Sequence, residues 1–343
     1  MNKSRAKSQH YIPQVMLEEW GFNTNKNIYF FDNTKKIGNI RTTESVAYEN
    51  FLYSFRVENI NFADENFKKR FIEAYNLNEY KFYGKDNKEI DNPFLFLSDF
   101  KVLSKIEKNG VALTRAEINR LECSIKQWND TTLEKMLSDI ENNWKLVCEK
   151  LKLFRNNYLS SNDKEKCVKE YLNPIWHYIE NFVNILYIRN NEFRDSVHEY
   201  TKPIKDISYS IFENFNIINN MVETHYKNTL KQALLNEYSI FKPFNINLYL
   251  LTDNQNVILP LNYVRIKENT EIDGILLQSA IYIPLTPKII AIVYGKHSNL
   301  ITINHNLPDE YVNAINKCLI YNSKYFVANF KVDEICNLQK TPN

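Results

Sequence analysis

Glycine is scarce in this chain, with 6 in 343 residues. Neither Gly-x-x-x-x-Gly-Lys nor Gly-x-Gly-x-x-Gly occurs, so there is too little flexible backbone to cradle a phosphate and no nucleotide cofactor is expected. No Gly-x-Ser-x-Gly elbow is present to lift a nucleophilic serine. Ten prolines are too few for low-complexity linkers. The cysteines, Cys123, Cys148, Cys167, Cys318 and Cys336, are odd in number and widely spaced, with no Cys-x-x-Cys pair. Free buried thiols in a reducing compartment are expected, and a zinc ribbon is not. The basic stretch Met1–Gln9 leads into no signal-peptide core, and no apolar run reaches membrane-spanning length, so the expectation is a cytoplasmic protein with no membrane partner. Charge of one sign is also lacking. The 43 basic and 41 acidic residues give +2, and any basic surface has to be local.

What is present is apolar and aromatic matter: 44% of residues are hydrophobic and 14% aromatic, enough for a real core. Asn27 to Phe31 is short and β-prone, Asp32 to Lys35 reads as a turn, and Ile37 to Thr42 returns as the second arm of a hairpin. Past Tyr53 the pattern turns helical. Glu65 to Tyr75 reads as one helix, and Asn92-Pro93 interrupts before the next segment. Between about Thr114 and Tyr238, apolar residues recur at spacings of three and four, which predicts four or more helices. Thr114 with Glu117, and Thr131 with Glu134, fit capping boxes. Ser160 to Asp163 reads as an inter-helix turn, and Pro174 as a restart or kink.

From Asn245 the texture becomes β-branched and aromatic. Leu248 to Thr252, Val257 to Leu259, Ala280 to Ile283, Ile289 to Tyr294 and Leu300 to Ile303 read as an antiparallel sheet. Pro308-Asp309-Glu310 opens an amphipathic helix through Leu319. A strand at Tyr325 to Asn329 and a helical turn at Val332 to Leu338 complete the pattern. The fold class is α+β: β-containing N- and C-terminal segments with a long, mainly helical middle. The chain reads as one unit over 1–343, with a mixed segment at 1–60, a helical region at 61–240 and a β-rich segment with a terminal helix at 241–343.

His10-Tyr11-Ile12-Pro13-Gln14, followed by Leu17 and Trp20-Gly21-Phe22, is a distinctive opening. Ile28-Tyr29-Phe30-Phe31-Asp32 and Ala47-Tyr48-Glu49-Asn50-Phe51-Leu52-Tyr53 follow it. Further on come Ile188 to Arg194, Leu251-Thr252-Asp253-Asn254 and Ile281-Tyr282-Ile283-Pro284-Leu285-Thr286-Pro287. In this order the segments resemble the bacterial family known as domain of unknown function forty-two thirty-eight, over nearly the whole chain. The family's Thr-Ser-Asp-Asn-Pro element is met imperfectly: the serine is missing and Gln255 stands where relatives carry proline. The resemblance implies no reaction.

Chemistry is therefore read from side chains. His10 precedes the first apolar run and suits a general base or a metal ligand. Equally, it can hydrogen-bond to backbone and anchor the N-terminal arm while Pro13 starts a helix. Glu49 sits at the edge of an aromatic cluster that could raise its pKa, or is a solvated helix-start carboxylate. Asp253 ends a very apolar run and faces a cleft, or caps an ordinary turn. Together His10, Glu49 and Asp253 form a candidate catalytic and metal set for Mg²⁺ or Mn²⁺, with Tyr11, Gln14, Arg189 and Arg194 binding substrate. The arginines can as readily pair with acids on their own helix. His177 with Glu180, and the remaining histidines, are read as structural.

Two functions follow from this. One is a hydrolase, a metal-dependent nuclease acting as a defence or toxin-like effector. The other is a non-catalytic binding or sensor module for a protein or nucleic-acid partner, with a homo-oligomer as a further form of partnership.

Overall fold

The computed structural model describes residues 8–50, 52–57, 60, 63–97, 100–189, 194, 223–231, 245–262, 264–294 and 301–330. The chain divides into two compact units. One comprises Met1–Asn50, Leu137–Arg194 and Asn236–Asn343, the other Phe51–Met136 and Asp195–Leu235.

In the first unit the N- and C-terminal segments share a sheet. Asn27–Asp32 pairs antiparallel with Ile37–Thr42 on one side and with Tyr325–Ala328 on the other, and Leu259–Pro260 continues the order. The hairpin and the last strand lie where the alternation of apolar residues placed them, with Phe31 stacked on Phe326 at 5.0 Å. A five-stranded sheet runs Val264–Ile266, Ala280–Thr286, Ile289–Tyr294, Asn245–Leu250 and Thr302–His305. Ala280–Thr286 is buried at all seven positions, as an apolar run covered on both faces should be. Of the strands expected in one antiparallel sheet, those at Asn245–Leu250, Ala280–Thr286 and Ile289–Tyr294 are antiparallel neighbours here, the stretch from Val257 to Leu259 contributes only Leu259–Pro260 and to the other sheet, and Val264–Ile266 is an added strand. Thr302–His305 instead runs parallel to Asn245–Leu250.

Helices pack on this framework. Thr132–Ser160 buries Trp144, Val147, Cys148, Leu151, Phe154 and Tyr158, one stripe at helical spacing. Trp144 lies flat on Phe182 of the helix Trp176–Arg189, with ring centres 3.6 Å apart. As expected, a break follows Ser160, and Asn173–Ile175, carrying Pro174, precedes the next helix. Asp309–Tyr321 begins directly after Pro308 and buries Val312, Ile315, Asn316 and Leu319.

The second unit has its own core around Phe55, Phe67, Phe71, Phe82, Phe100 and Ile125. Glu65–Tyr75 is a helix with the predicted bounds, started by the Asp64 carboxylate, which accepts from the amides of Asn66 and Phe67. Arg115–Lys126 starts at the predicted capping box of Thr114 and Glu117. The helical reading of 61–240 needs amending at the short strand Asn129–Asp130, which pairs with Phe55–Arg56, and in a small sheet. Tyr80–Gly84, Leu103–Lys108 and Val111–Ala112 form a three-stranded sheet, turned at Asn109-Gly110 with φ of 50° and 80°. Asn-Gly supplies the left-handed pair that a tight hairpin turn demands.

Cys148, Cys167 and Cys318 are free and buried, as expected, whereas Cys123 is free but exposed. No helix among the described residues is long and apolar enough to cross a membrane. Cys336 and the helical turn read at Val332 to Leu338 lie outside the described residues.

Candidate functional site

The opening signature becomes a strand and a short helix. Ser8–His10 pairs antiparallel with Tyr48–Asn50, placing Gln9 opposite Glu49 and His10 opposite Tyr48. Two of the sequence segments singled out above are thus hydrogen-bonded to each other. The Tyr11 amide donates to the Ala47 carbonyl at 2.9 Å. Pro13 caps the helix Gln14–Leu17, where its fixed φ costs nothing, and Met16 and Leu17 enter the core. Trp20 is fully buried, and its indole N–H donates to the Val257 carbonyl at 2.9 Å.

His10, Glu49, Arg189 and Arg194 gather around this strand pair. Arg189 is buried, with its Nη1 2.5 Å from Glu141 Oε1 and its Nη2 donating to the His10 carbonyl. Arg194 holds Glu49 through two bonds, Nη1 to Oε2 at 2.6 Å and Nη2 to Oε1 at 3.2 Å. Burial lowers the His10 imidazole below its ordinary pKa. The Val46 backbone and the Glu141 charge oppose this shift, while Arg189 adds to it. The two arginines expected to bind substrate thus have carboxylate partners here, Glu141 and Glu49, while Glu192 and Asp195 lie outside the described residues. Tyr11 and Gln14 stand beside them at the strand end and the helix start.

Asp253 belongs to a different constellation. Arg155, 6% exposed, projects from the apolar stripe of the helix Thr132–Ser160. It donates Nε to the Leu251 carbonyl and Nη2 to Asp253 Oδ1, each at 2.7 Å, and Nη1 to Asn156 Oδ1 at 2.8 Å. The hydrogen bond from Arg155, and then its charge, holds the exposed Asp253 carboxyl below its usual range. Lys288 donates to the carbonyls of Asp253 and Gln255. Desolvation lowers its pKa, and the charge of Arg155 pushes the same way. Among the described residues no group of three or more His, Cys, Asp and Glu is arranged to hold a metal ion, and His10, Glu49 and Asp253 form none.

Gln255, the departure from the resembled motif, does its own work in this chain. The Gln255 amide donates to the Thr252 carbonyl at 3.3 Å, a bond that proline lacks the hydrogen to make. Its side-chain Oε1 accepts from the Thr252 amide at 3.1 Å. Its Nε2 donates to the Leu307 carbonyl and to Asp309 Oδ1, both at 2.7 Å. The turn is thereby tied to the head of the helix Asp309–Tyr321. Two helical turns further along, buried Asn316 accepts from the Ile258 amide at 3.0 Å and donates to the Asn256 carbonyl at 2.8 Å.

Between turn and helix lies a cavity of about 270 Å³, lined by Asn254, Gln255, Asn256, Asp309, Val312, Asn313, Asn316 and Phe330. Gln255 has all its side-chain hydrogens placed, whereas among the described residues Asn316 keeps one N–H and Asp309 one oxygen. The exposed amides of Asn254 and Asn313 carry no side-chain bond among the described residues. Beside them, Asn329 Oδ1 is buried and unpaired among the described residues, with its Nδ2 3.3 Å from Asn256 Oδ1.

Sequence reading found Asp253 and missed Arg155, Gln255, Asp309 and Asn316. A usable signal existed for two of them. Arg155 stands in the stripe Cys148, Leu151, Phe154, Tyr158, and Asn316 in the stripe Val312, Ile315, Leu319. A polar residue on a core stripe has to be bonded there.

Comparison with curated proteins and with solved structures found no match. The family model described as "Protein of unknown function (DUF4238)" matches residues 8–331, which takes in both the strand pair at His10 and the cavity, and the chain belongs to that family.

Proposed function

We propose that this protein is a non-catalytic binding module whose site is the amide-lined cavity at the head of the helix Asp309–Tyr321. The ligand is small, neutral and rich in hydrogen-bonding groups, on the scale of one sugar ring or one nucleobase. The observation that carries this is the division of labour in the cavity wall. Buried Gln255 and Asn316 bond to backbone and, for Gln255, to one oxygen of Asp309, while Asn254, Asn313 and the other Asp309 oxygen line the cavity with no side-chain bond among the described residues. Phe330 supplies an apolar surface against which a ring can lie. A volume of about 270 Å³ falls just under the usual range for drug-sized ligands, which points to a single ring.

A metal-dependent nuclease would need His10, Glu49 and Asp253 to converge. Glu49 is held by Arg194 and Asp253 by Arg155, so the binding reading has the better support. Mg²⁺ or Mn²⁺ would find one carboxylate and several amide oxygens in the cavity, a hard donor set of low charge.

The test is a thermal-shift and calorimetric screen of monosaccharides, nucleosides, Mg²⁺ and Mn²⁺ on the wild type and on Asn313→Ala and Asp309→Asn. A ligand present at 100 times its Kd stabilises the folded state by about 2.7 kcal/mol. The expected result is a neutral compound whose shift is lost in Asn313→Ala. Shifts that are the same in wild type and both variants put binding elsewhere and sink the proposal. A shift specific to metal and lost only in Asp309→Asn favours a cation site.

A further inference from the structure

The sheet that joins the two ends of the chain has an open edge. Its order stops at Ile37–Thr42, which among the described strands pairs only with Asn27–Asp32. Main-chain groups of an outer strand point alternately into the sheet and away from it. The Thr43 amide donates to the Lys26 carbonyl at 3.3 Å, and the register carries that phase on to Ile28 with Arg41 and to Phe30 with Asn39 as bonded pairs. On the other side of the same hairpin the Asn33 amide donates to the Lys324 carbonyl at 2.9 Å, which fixes the same phase. The N–H and C=O of Gly38 and Ile40 therefore point away from the sheet, with no partner among the described residues. The strand is six residues long, unbroken in register and free of proline, a template for one strand more.

The side chains along the edge select what that strand carries. On one face Ile40 is 58% exposed and lies opposite Tyr29, on which Phe22 stacks at 4.4 Å. Gly38, on the same face, has no side chain and leaves room for a bulky one. On the other face Arg41 covers the Phe30 ring at 4.4 Å, with its Nε on Asn39 Oδ1 at 3.1 Å and no carboxylate partner among the described residues. A strand added antiparallel exchanges four hydrogen bonds with Gly38 and Ile40 and sets its alternate side chains beside them and beside Arg41 and Asn39. A second copy of this chain does not supply the missing acid. In the registers that pair the outward groups of two copies, Arg41 faces Asn39, Ile37, Lys35 or the other Arg41.

We propose that this edge binds an extended segment of another protein in which apolar and acidic residues alternate. Main-chain bonds supply the affinity, the apolar residues extend the strip from Phe22 through Tyr29 to Ile40, and an acid opposite Arg41 or Asn39 pairs with the guanidinium.

The test is fluorescence anisotropy of a short, end-blocked peptide of alternating valine and glutamate, titrated with the full chain, beside the same peptide with lysine for glutamate. Wild type is expected to bind the glutamate peptide with a Kd on the order of 100 micromolar and the lysine peptide about tenfold more weakly. Arg41→Glu should invert that preference. Ile40→Pro removes an outward N–H without touching the bonds to Asn27–Asp32 and should abolish binding of both peptides. Melting temperature checks the fold of each variant, and the exposed Arg41→Glu decides the matter should the proline variant melt early. Absence of saturable binding by the glutamate peptide, equal affinity for the two peptides, or an Arg41→Glu variant that keeps the wild-type preference overturns the proposal. So does a chain that dimerises through this edge, seen as concentration-dependent sedimentation that Ile40→Pro removes.

Discussion

Arg155→Met tests the account of the Asp253 turn most sharply. Methionine keeps much of the stem that packs between Leu151 and Tyr158 and removes only the guanidinium. Three interactions then go. The one to the exposed Asn156 is replaced by water, and the other two differ in kind. Asp253 is exposed, so its carboxylate is rehydrated when the partner leaves. The Leu251 carbonyl belongs to a fully buried residue, and Arg155 Nε is its donor. Losing a charged donor to a buried carbonyl costs about 1.5–3 kcal/mol. With a urea slope of roughly 1–3 kcal/mol per molar, the midpoint should fall by about 1 M. Urea unfolding followed by tryptophan fluorescence and circular dichroism measures this, with Asp253→Asn as control. The control should lose clearly less, and its difference from wild type should shrink as pH falls below about 4. The carboxyl's lowered pKa contributes stability that is present above the unfolded value and is lost on protonation. Equal losses in the two variants would refute the claim that the guanidinium acts mainly by clamping backbone.

Three further outcomes are expected. Asn316→Leu leaves the buried Ile258 amide without its acceptor and should destabilise by about 1–3 kcal/mol in the same assay. Since burial lowers the His10 pKa, NMR titration should find it below about 6.5, and His10→Gln should remove a loss of stability that wild type shows as pH falls through that value. Tyr249, Tyr282, Tyr294 and Tyr311 have phenol pKa values raised by burial. Their native protons are held more tightly than unfolded ones, so stability should fall as pH rises above about 10, and absorbance at 295 nm should show these phenols ionising only on unfolding.

Much of the fold could be read locally because its signals are local. Capping at Thr114, the bounds of Glu65–Tyr75, the strand Ile289–Tyr294 and the helix start at Asp309 each depend on a few adjacent residues. The hairpin at Asn109-Gly110 was equally legible and was overlooked inside a region read as helical. The family resemblance likewise rested on short segments in order, and it holds over residues 8–331.

Tertiary structure decided what no window of sequence contains. It put Tyr325–Ala328 beside Asn27–Asp32, nearly three hundred residues apart, because an open edge of main-chain groups needs a partner wherever one can be found. By the same logic it made Thr302–His305 parallel to Asn245–Leu250. The site followed the same rule. Glu49 and Asp253 looked alike as free carboxylates in sequence, yet each was claimed by an arginine from a distant segment, since Arg155 and Arg194, far less exposed than the carboxylates they hold, are the charges that have to be paired. Gln255 looked like a defect in a motif, and the fold turned it into the tie between a turn and a helix, because its side-chain amide could reach two backbone groups and a carboxylate at once.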